Sequence, residues 1–567
     1  MLTDAIHRAL GPGFADEDPV LRPSQYGDVQ ANAALALAKH VGASPREVAT
    51  RVVEHLDLRS MCSTVEISGP GFLNLVYDDD WLASLVSDQA ADQRLGVAVQ
   101  DPRTVVIDYS APNVAKEMHV GHLRTTVVGD ALARTLEHLG HRVVRQNHIG
   151  DWGTPFGMLI EHLLAVGEDS PEAHLLETDP NAFYQAARAE FDDDVDFAVR
   201  SRARVVALQA GDPETRRLWE KLVGLSRQYF NRIYGTLGVT LTDDDLAGES
   251  TYNDDLAHVC AELEAQGLAT VDDGALCVFL DGYTGREGKP VPLIVRKSDG
   301  GYGYATTDLA TVRHRVRHLD GDRLLYVIGA PQSLHLRMVW ETARLAGWLP
   351  EDVEVVHVQI GNVLGEDRKI LRTRSGSPLR LMALLEEAVV SARRFLDETR
   401  PELDEDTRAR VAPQVGIGAV KYADLSVAHD SEYVFDLDRM LSQVGNTAPY
   451  LQYAAARIRS IFRAAGLDPA SAAAQISVAA PAERALVVRL LGFGDVVAAV
   501  GEHLEPHRLC GYLFDLAQDF SAFYEQCPVL KAPEDGTRDS RLALSALTLR
   551  VLVQGLDLLG IEAPERM

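Results

Sequence analysis

The apolar positions of this chain change period along its length, and each change marks an element. Between residues 104 and 151 a β-branched run, Val105 to Ile107, reads as a short buried strand. A polar loop follows, carrying Asn113, Lys116 and His119. From about Gly121 the residues Leu123, Val127, Ala131, Leu132, Leu136 and Leu139 recur at helical spacing, with Gly140 where a C-cap glycine belongs. Val143 and Val144 then open a second strand. The pattern predicts a β-loop-α-β unit whose loop leads into a helix N-terminus, where unpaired N–H groups and the helix dipole favour an anion.

On either side of that unit the pattern predicts three regions. Residues 1–98 read as a small α+β module. Ser44-Pro45-x-Glu47 starts a helix that runs through Leu56, VEISGPGFLNLVY gives two strands joined by Gly69-Pro70-Gly71, and Asp78 to Asp80 cap a last helix. The exposed pattern Phe72, Asn74, Tyr77 suits stacking and hydrogen bonding to a base; a half-buried hairpin is the alternative. Residues 99–438 alternate strand and helix around a helical, charge-rich insertion at about 160–290. After it, PLIVRKSDGGYGYATTDLATVRHRV reads as strand, glycine turn, strand, helix, and LLYVIG and VEVVHVQIG are further strands. That alternation predicts an α/β doubly wound parallel sheet, Rossmann-like, with ligands at the carboxyl ends of its strands. Residues 439–567 predict an all-α bundle interrupted by an Ala/Ser-rich loop at 469–483.

Composition narrows the classes without choosing among them. A chain of 567 residues implies three or four domains. With 46% hydrophobic and 24% charged residues, no membrane-length apolar run and no signal-peptide pattern, a cytoplasmic protein with no membrane partner is expected. Five scattered cysteines with no C-x-x-C pair argue against a disulfide framework or structural zinc. A net charge of −28 speaks against a polyanionic partner only if charge is averaged, because nucleic-acid affinity follows local cations. Neither a G-x-G-x-x-G after a strand nor a phosphate-loop motif is present.

The candidate chemistry gathers in a few places. His119 and His122 flank Gly121 at the helix start, where two imidazoles can donate to phosphate oxygens and Lys116 adds charge. GEDRKILRTRSGSP carries Arg368, Lys369, Arg372 and Arg374 among glycines and serines, which suits either an anion clamp or a flexible basic linker. Asp308, one helical turn after Tyr304, and Asp108, at the end of the first strand, are carboxylates that could take a guanidinium; Asp308 could equally be a helix cap.

Taken together, SAPNVAKEMHVGHLR and RQNHIGDWGTPFGM resemble the signature of class I aminoacyl-tRNA synthetases, and within that class the arginyl-tRNA synthetases. The resemblance implies that His119, Gly121 and His122 cradle ATP with help from Lys116. It implies that Tyr304 and Asp308 hold the arginine side chain while Asn113 and Gln332 hold its α-amino and carboxylate ends, with Asp108 and Ser110 as further lining residues. Arg372 and Arg374 fall in the loop where class I enzymes carry a lysine-rich phosphate loop, and Arg372 stands at a lysine position. Around Gln332 this chain reads IGAPQSLH, where many relatives have an Arg before the Gln and an Asp three residues before it. In the first module Phe72 and Asn74 would contact a D-loop base, and the tail, ending GIEAPERM, would bind the anticodon.

The expected activity is therefore ligation of L-arginine to tRNA(Arg) through an arginyl-adenylate. ATP would be a substrate, Mg²⁺ would arrive with it, no structural metal would be present, and the chain would act as a monomer. Activation would need bound tRNA. Two rivals are a catalytically silent tRNA-binding paralogue and an RNA-independent adenylate-forming ligase for a small acid.

Overall fold

Four short strands pair in parallel to make the sheet on which the candidate site stands: β1 (Thr104–Asp108), β2 (Arg142–Gln146), β3 (Arg323–Gly329) and β4 (Glu354–Ile360). Their order is β4-β3-β1-β2, so the chain leaves β1 for one side of the sheet and later returns to its other side. The order reverses between β1 and β3, the switch point of the sheet, beside which ligands of such folds bind. β1 and β3 are the inner strands and are buried almost throughout, as continuous apolar runs in a covered parallel sheet should be. The helices that matter for the site are α1 (Val120–His138), α2 (Pro213–Leu237), α3 (Tyr304–Arg317), α4 (Ser333–Leu345) and α5 (Glu405–Leu425).

This computed structural model describes the whole chain except residues 286–287, 373–378, 473 and 533. The described residues form two compact units, neither of them one continuous stretch. The first comprises residues 1–96, 457–494 and 515–551; the second comprises 97–456, 495–514 and 552–567.

In the first unit an antiparallel sheet runs in the order Leu21–Ser24, Gly27–Ala31, Phe72–Tyr77, Cys62–Ser68. Ser44 and Glu47 form the reciprocal cap of helix Pro45–Glu54, and Asp78 caps Asp79–Ala91. Arg484 grips Asp28 with two bonds of 2.6 and 2.7 Å and reaches Asp79 at 2.8 Å, so residues far apart in sequence close this unit. The aromatic-and-amide pattern is not exposed as expected. Asn74 lies on an inner strand and is 3% exposed, its carbonyl accepting from Gln30 and its amide donating to the Ser68 hydroxyl. Phe72 and Tyr77 are half-buried.

The second unit differs from expectation at the end of the insertion. Residues 154–265 are mostly helical, but Ala269–Asp272, Ala275–Thr284 and Pro290–Arg296 form a separate antiparallel sheet. The PLIVR strand therefore does not restart the parallel sheet. It alternates in burial, with Leu293 and Val295 in and Ile294 out, as a strand with one wet face does. The second strand predicted after it reduces to a single bridge between Arg296 and Tyr302.

All five cysteines are buried and unpaired, and burial raises the pKa of each thiol. Among the described residues no helix is long and apolar enough to cross a membrane.

Candidate active site

The loop leaving β1 is strained and braced. Ser110, Ala111 and Ala115 all have positive φ, at 71°, 46° and 57°. Such backbone persists only where its surroundings over-determine it. Here Asn147 accepts from the Ala111 N–H, and the Ser226 hydroxyl from the Ala115 N–H. The Tyr234 hydroxyl, on α2, meets the Ser110 Oγ at 2.8 Å.

The same bracing gives two of the candidates internal partners. Ser110 is 3% exposed, and its hydroxyl is also within 2.9 Å of Thr126. Asp108 is likewise 3% exposed and accepts a 2.6 Å bond from the buried guanidinium of Arg315. The pair ties β1 to α3 through one carboxylate oxygen, while the other, Oδ1, is buried without a hydrogen-bond partner.

At the end of the loop the two histidines hold each other. The His119 Nδ1 accepts from the Gly121 N–H at 3.0 Å, and the His119 N–H donates to the His122 Nδ1 at 3.1 Å. This is a reciprocal cap on α1 made by imidazoles. Both Nδ1 atoms are thereby acceptors, so in the neutral rings the protons sit on Nε2. Burial pushes His122 down to about 3 and lowers His119 too, with Lys116 adding repulsion at His119. The pair presents two neutral N–H donors, not two cations. Gly121 is needed for this arrangement: a Cβ there would lie 2.8 Å from the His119 Cε1.

Beyond the histidines, the remaining candidates act on one another through one ring contact, one hydrogen bond and their charges. Lys116 holds its ammonium 4.2 Å above the Tyr184 ring. Tyr304, at the start of α3 and 71% exposed, is close enough to Tyr184 and Glu249 to feel both electrostatically. Burial, then the carboxylates of Asp308 and Asp151, push Glu249 up to about 8. Asp308 bonds the Nε2 of His335 at 2.5 Å, and that bond raises the His335 pKa. Asn113 pairs with Gly150 beside this cluster, and the Glu249 N–H donates to the Ile149 carbonyl. A cleft of about 510 Å³ opens along Trp152, Glu249, Tyr302, Tyr304 and Thr307. Gln332 ends the turn after β3 and is exposed, one helical step before His335.

Glu249, His335 and Arg124 are absent from the sequence-based list. Glu249 lies in a short 3₁₀ turn (Glu249–Tyr252), where no motif distinguishes it. His335 could have been found: it follows Gln332 at i+3 and so shares its side of the helix start. Arg124 follows the histidines but points inward, 1% exposed, with its Nε 2.6 Å from Asp424.

The second basic segment leaves the sheet after β4. Its far end returns to the histidines: the Val120 N–H donates to the Leu379 carbonyl, the Leu381 N–H to that of Met118, and Arg380 pairs with Glu117 at 2.9 Å. Arg372 lies within this segment; Arg374 falls in 373–378, outside the described residues.

Against known proteins, residues 84–437 match the family model for class I tRNA synthetases (R), catalytic domain. Residues 451–567 match the DALR anticodon binding domain, and residues 1–77 the arginyl tRNA synthetase N terminal domain. The arginine–tRNA ligase of Thermobifida fusca is 70% identical over 99% of this chain and 98% of its own length. That of Edwardsiella ictaluri is 47% identical over 100% and 98%. Among solved structures, the arginyl-tRNA synthetase of Plasmodium falciparum superposes with a TM-score of 0.84 at 26% identity, covering 100% of this chain and 98% of that one.

Proposed function

The chain belongs to the arginyl-tRNA synthetase family, and from that premise we propose how its own residues carry the family's reaction. It is an arginine–tRNA ligase: L-arginine and ATP give arginyl-adenylate and diphosphate, and the arginyl group passes to the 2′-hydroxyl of the terminal adenosine of tRNA(Arg). In the first step a carboxylate oxygen of arginine attacks the α-phosphorus as the bond to diphosphate breaks. An α-carboxylate with a pKa of about 3.3–3.7 is already ionised, so no base is needed. Alignment and stabilisation of the leaving charge remain for the protein to supply. In the second step the 2′-oxygen attacks the mixed anhydride, AMP departs and the hydroxyl proton is released.

In this reading His119 and His122 donate their Nε2–H groups to phosphate oxygens. Lys116, Arg372 and Arg374 supply charge, and Mg²⁺ enters bound to the nucleotide. Tyr304 and the carboxylates of Asp308 and Glu249 take the guanidinium; Asn113 and Gln332 take the α-amino and carboxylate ends. What supports this is one run of neighbours: the Lys116 ammonium lies 4.2 Å from the Tyr184 ring and lowers the His119 pKa, Tyr184 and Glu249 both act on Tyr304, and Asp308 acts on Glu249. Residues 1–98 are proposed to touch the tRNA elbow, with Phe72 beside the Gly69–Gly71 turn as the base contact. Asn74 is not proposed, its amide being spent on Gln30 and Ser68. Residues 99–438 would carry the chemistry and 439–567 the anticodon contact. We place the protein in the cytoplasm as a monomer.

The test is arginine-dependent ATP–diphosphate exchange with and without tRNA(Arg). Exchange with arginine but not with citrulline, its neutral analogue, is expected. Equal exchange with both would remove the acids from their assigned role.

A further inference from the structure

Arg124, in the second turn of α1, is bound on several sides. Its Nε meets Asp424 of α5 at 2.6 Å, Nη1 donates to the Ser431 carbonyl at 2.5 Å, and its guanidinium lies 5.2 Å from the centre of the Tyr433 ring. Asp424 is fully buried, and burial holds its carboxyl up at about 6 despite the arginine. The segment that Arg124 grips, 428–434, is pressed from its other side by the end of β4. The Gly361 N–H donates to the His429 carbonyl at 2.8 Å, and a Cβ on Gly361 would lie 2.5 Å from the Ser431 carbonyl oxygen. Two residues further on, Val363–Leu364 pairs in parallel with Tyr433–Val434, and the basic segment begins.

We propose that Arg124 is a positioning residue for the ATP half of the reaction, setting the distance between the histidine pair and the start of the basic segment. The segment's exit is fixed to the histidines by backbone bonds at Met118–Val120, but its entry is not. The entry is held by β4 and by the 428–434 segment, and it is through that segment that α1 reaches it, from Arg124 to Ser431 and on to Gly361 and Val363. A guanidinium suits this role because its planar fork can hold a carboxylate and a carbonyl at once, whereas an ammonium is a single point of charge. The inference rests on the reading of the histidines and the basic segment as the nucleotide site.

Two variants test it from opposite sides of the gripped segment. R124L/D424L replaces the buried pair with apolar side chains, a change that buried ion pairs often tolerate without loss of stability. G361A pushes on Ser431 from β4. Each is assayed by arginine-dependent ATP–diphosphate exchange with tRNA present, beside thermal melts. Displacements of this kind cost on the order of 10²-fold in rate. The expected result is a fall of about tenfold or more in kcat/KM for ATP, with KM for arginine changed by less than about twofold. R124K should recover part of the loss. If R124L/D424L does not fold, G361A and R124K carry the test. Wild-type ATP constants in the variants that fold, or equal rises in both KM values, overturn the proposal. Absence of exchange in the wild-type enzyme would instead defeat the functional reading and is thereby distinguishable.

Discussion

Glu249 lines the cleft, and Asp308, bonded to His335, acts on it electrostatically; both carboxylates bear on the proposed arginine binding. Asp308→Asn removes the charge but keeps the shape, so KM for arginine should rise about 30-fold or more while KM for ATP stays near its original value. Equal effects on both, in steady-state exchange kinetics, would count against the assignment. The pH dependence follows from the same group of residues. Glu249 titrates near 8, above its ordinary range, so in the free enzyme its proton stabilises the fold until the pH rises through that value. The proton that Asp308 retains on His335 acts in the same direction. A guanidinium replaces these protons, so arginine affinity should increase from pH 6 to 8, by up to about tenfold per unit for each proton released, and level off above. Calorimetry in two buffers of different protonation enthalpy would show proton release on binding; a pH-independent Kd with no release would refute it. Little of this was legible in the sequence. Tyr304 and Asp308 are four residues apart on one helix, whereas Glu249 reaches them only through the fold.

At the scale of elements, the sequence is clearest where local chemistry and burial agree. The β1-loop-α1-β2 unit, the Ser44–Glu47 cap and the Asp78 cap could be read directly because each depends on neighbours within four residues. The antiparallel sheet ending at Arg296 could not, because a five-residue apolar run is compatible with either kind of sheet until its partner is known. The partners of Asp108 and Ser110, Arg315 and Tyr234, are likewise invisible in the local sequence, because they lie more than a hundred residues away. The mutual cap of His119 and His122 makes Gly121 a sensitive position of α1. Gly121→Ala forces the His119 ring aside, so kcat for adenylate formation should fall about 10²-fold, while calorimetry should find arginine binding nearly unchanged. An unaltered kcat would show that the ring's placement is not required.

For the whole molecule, the division into two discontinuous units changes what a truncation means. Residues 495–514 and 552–567 belong to the same unit as the parallel sheet. Lys421 of α5, buried, donates to the carbonyls of Leu237 and Gly560, and Gln452 donates to those of Gln414 and Glu562. A chain ending near residue 438 should therefore lose diphosphate exchange as well as tRNA charging. Retention of exchange alone would show that the sheet and its helices stand without these late segments.

The buried thiols give each unit an internal clock. Cys62 and Cys527 lie in the first unit, and Cys260, Cys277 and Cys510 in the second. An alkylating reagent should modify almost none of them in the native protein. Mass spectrometry after timed exposure in mild urea would then give the opening rate of each unit separately, site by site, without any engineered label; rapid labelling of Cys510 in the native state would contradict the packing described for it.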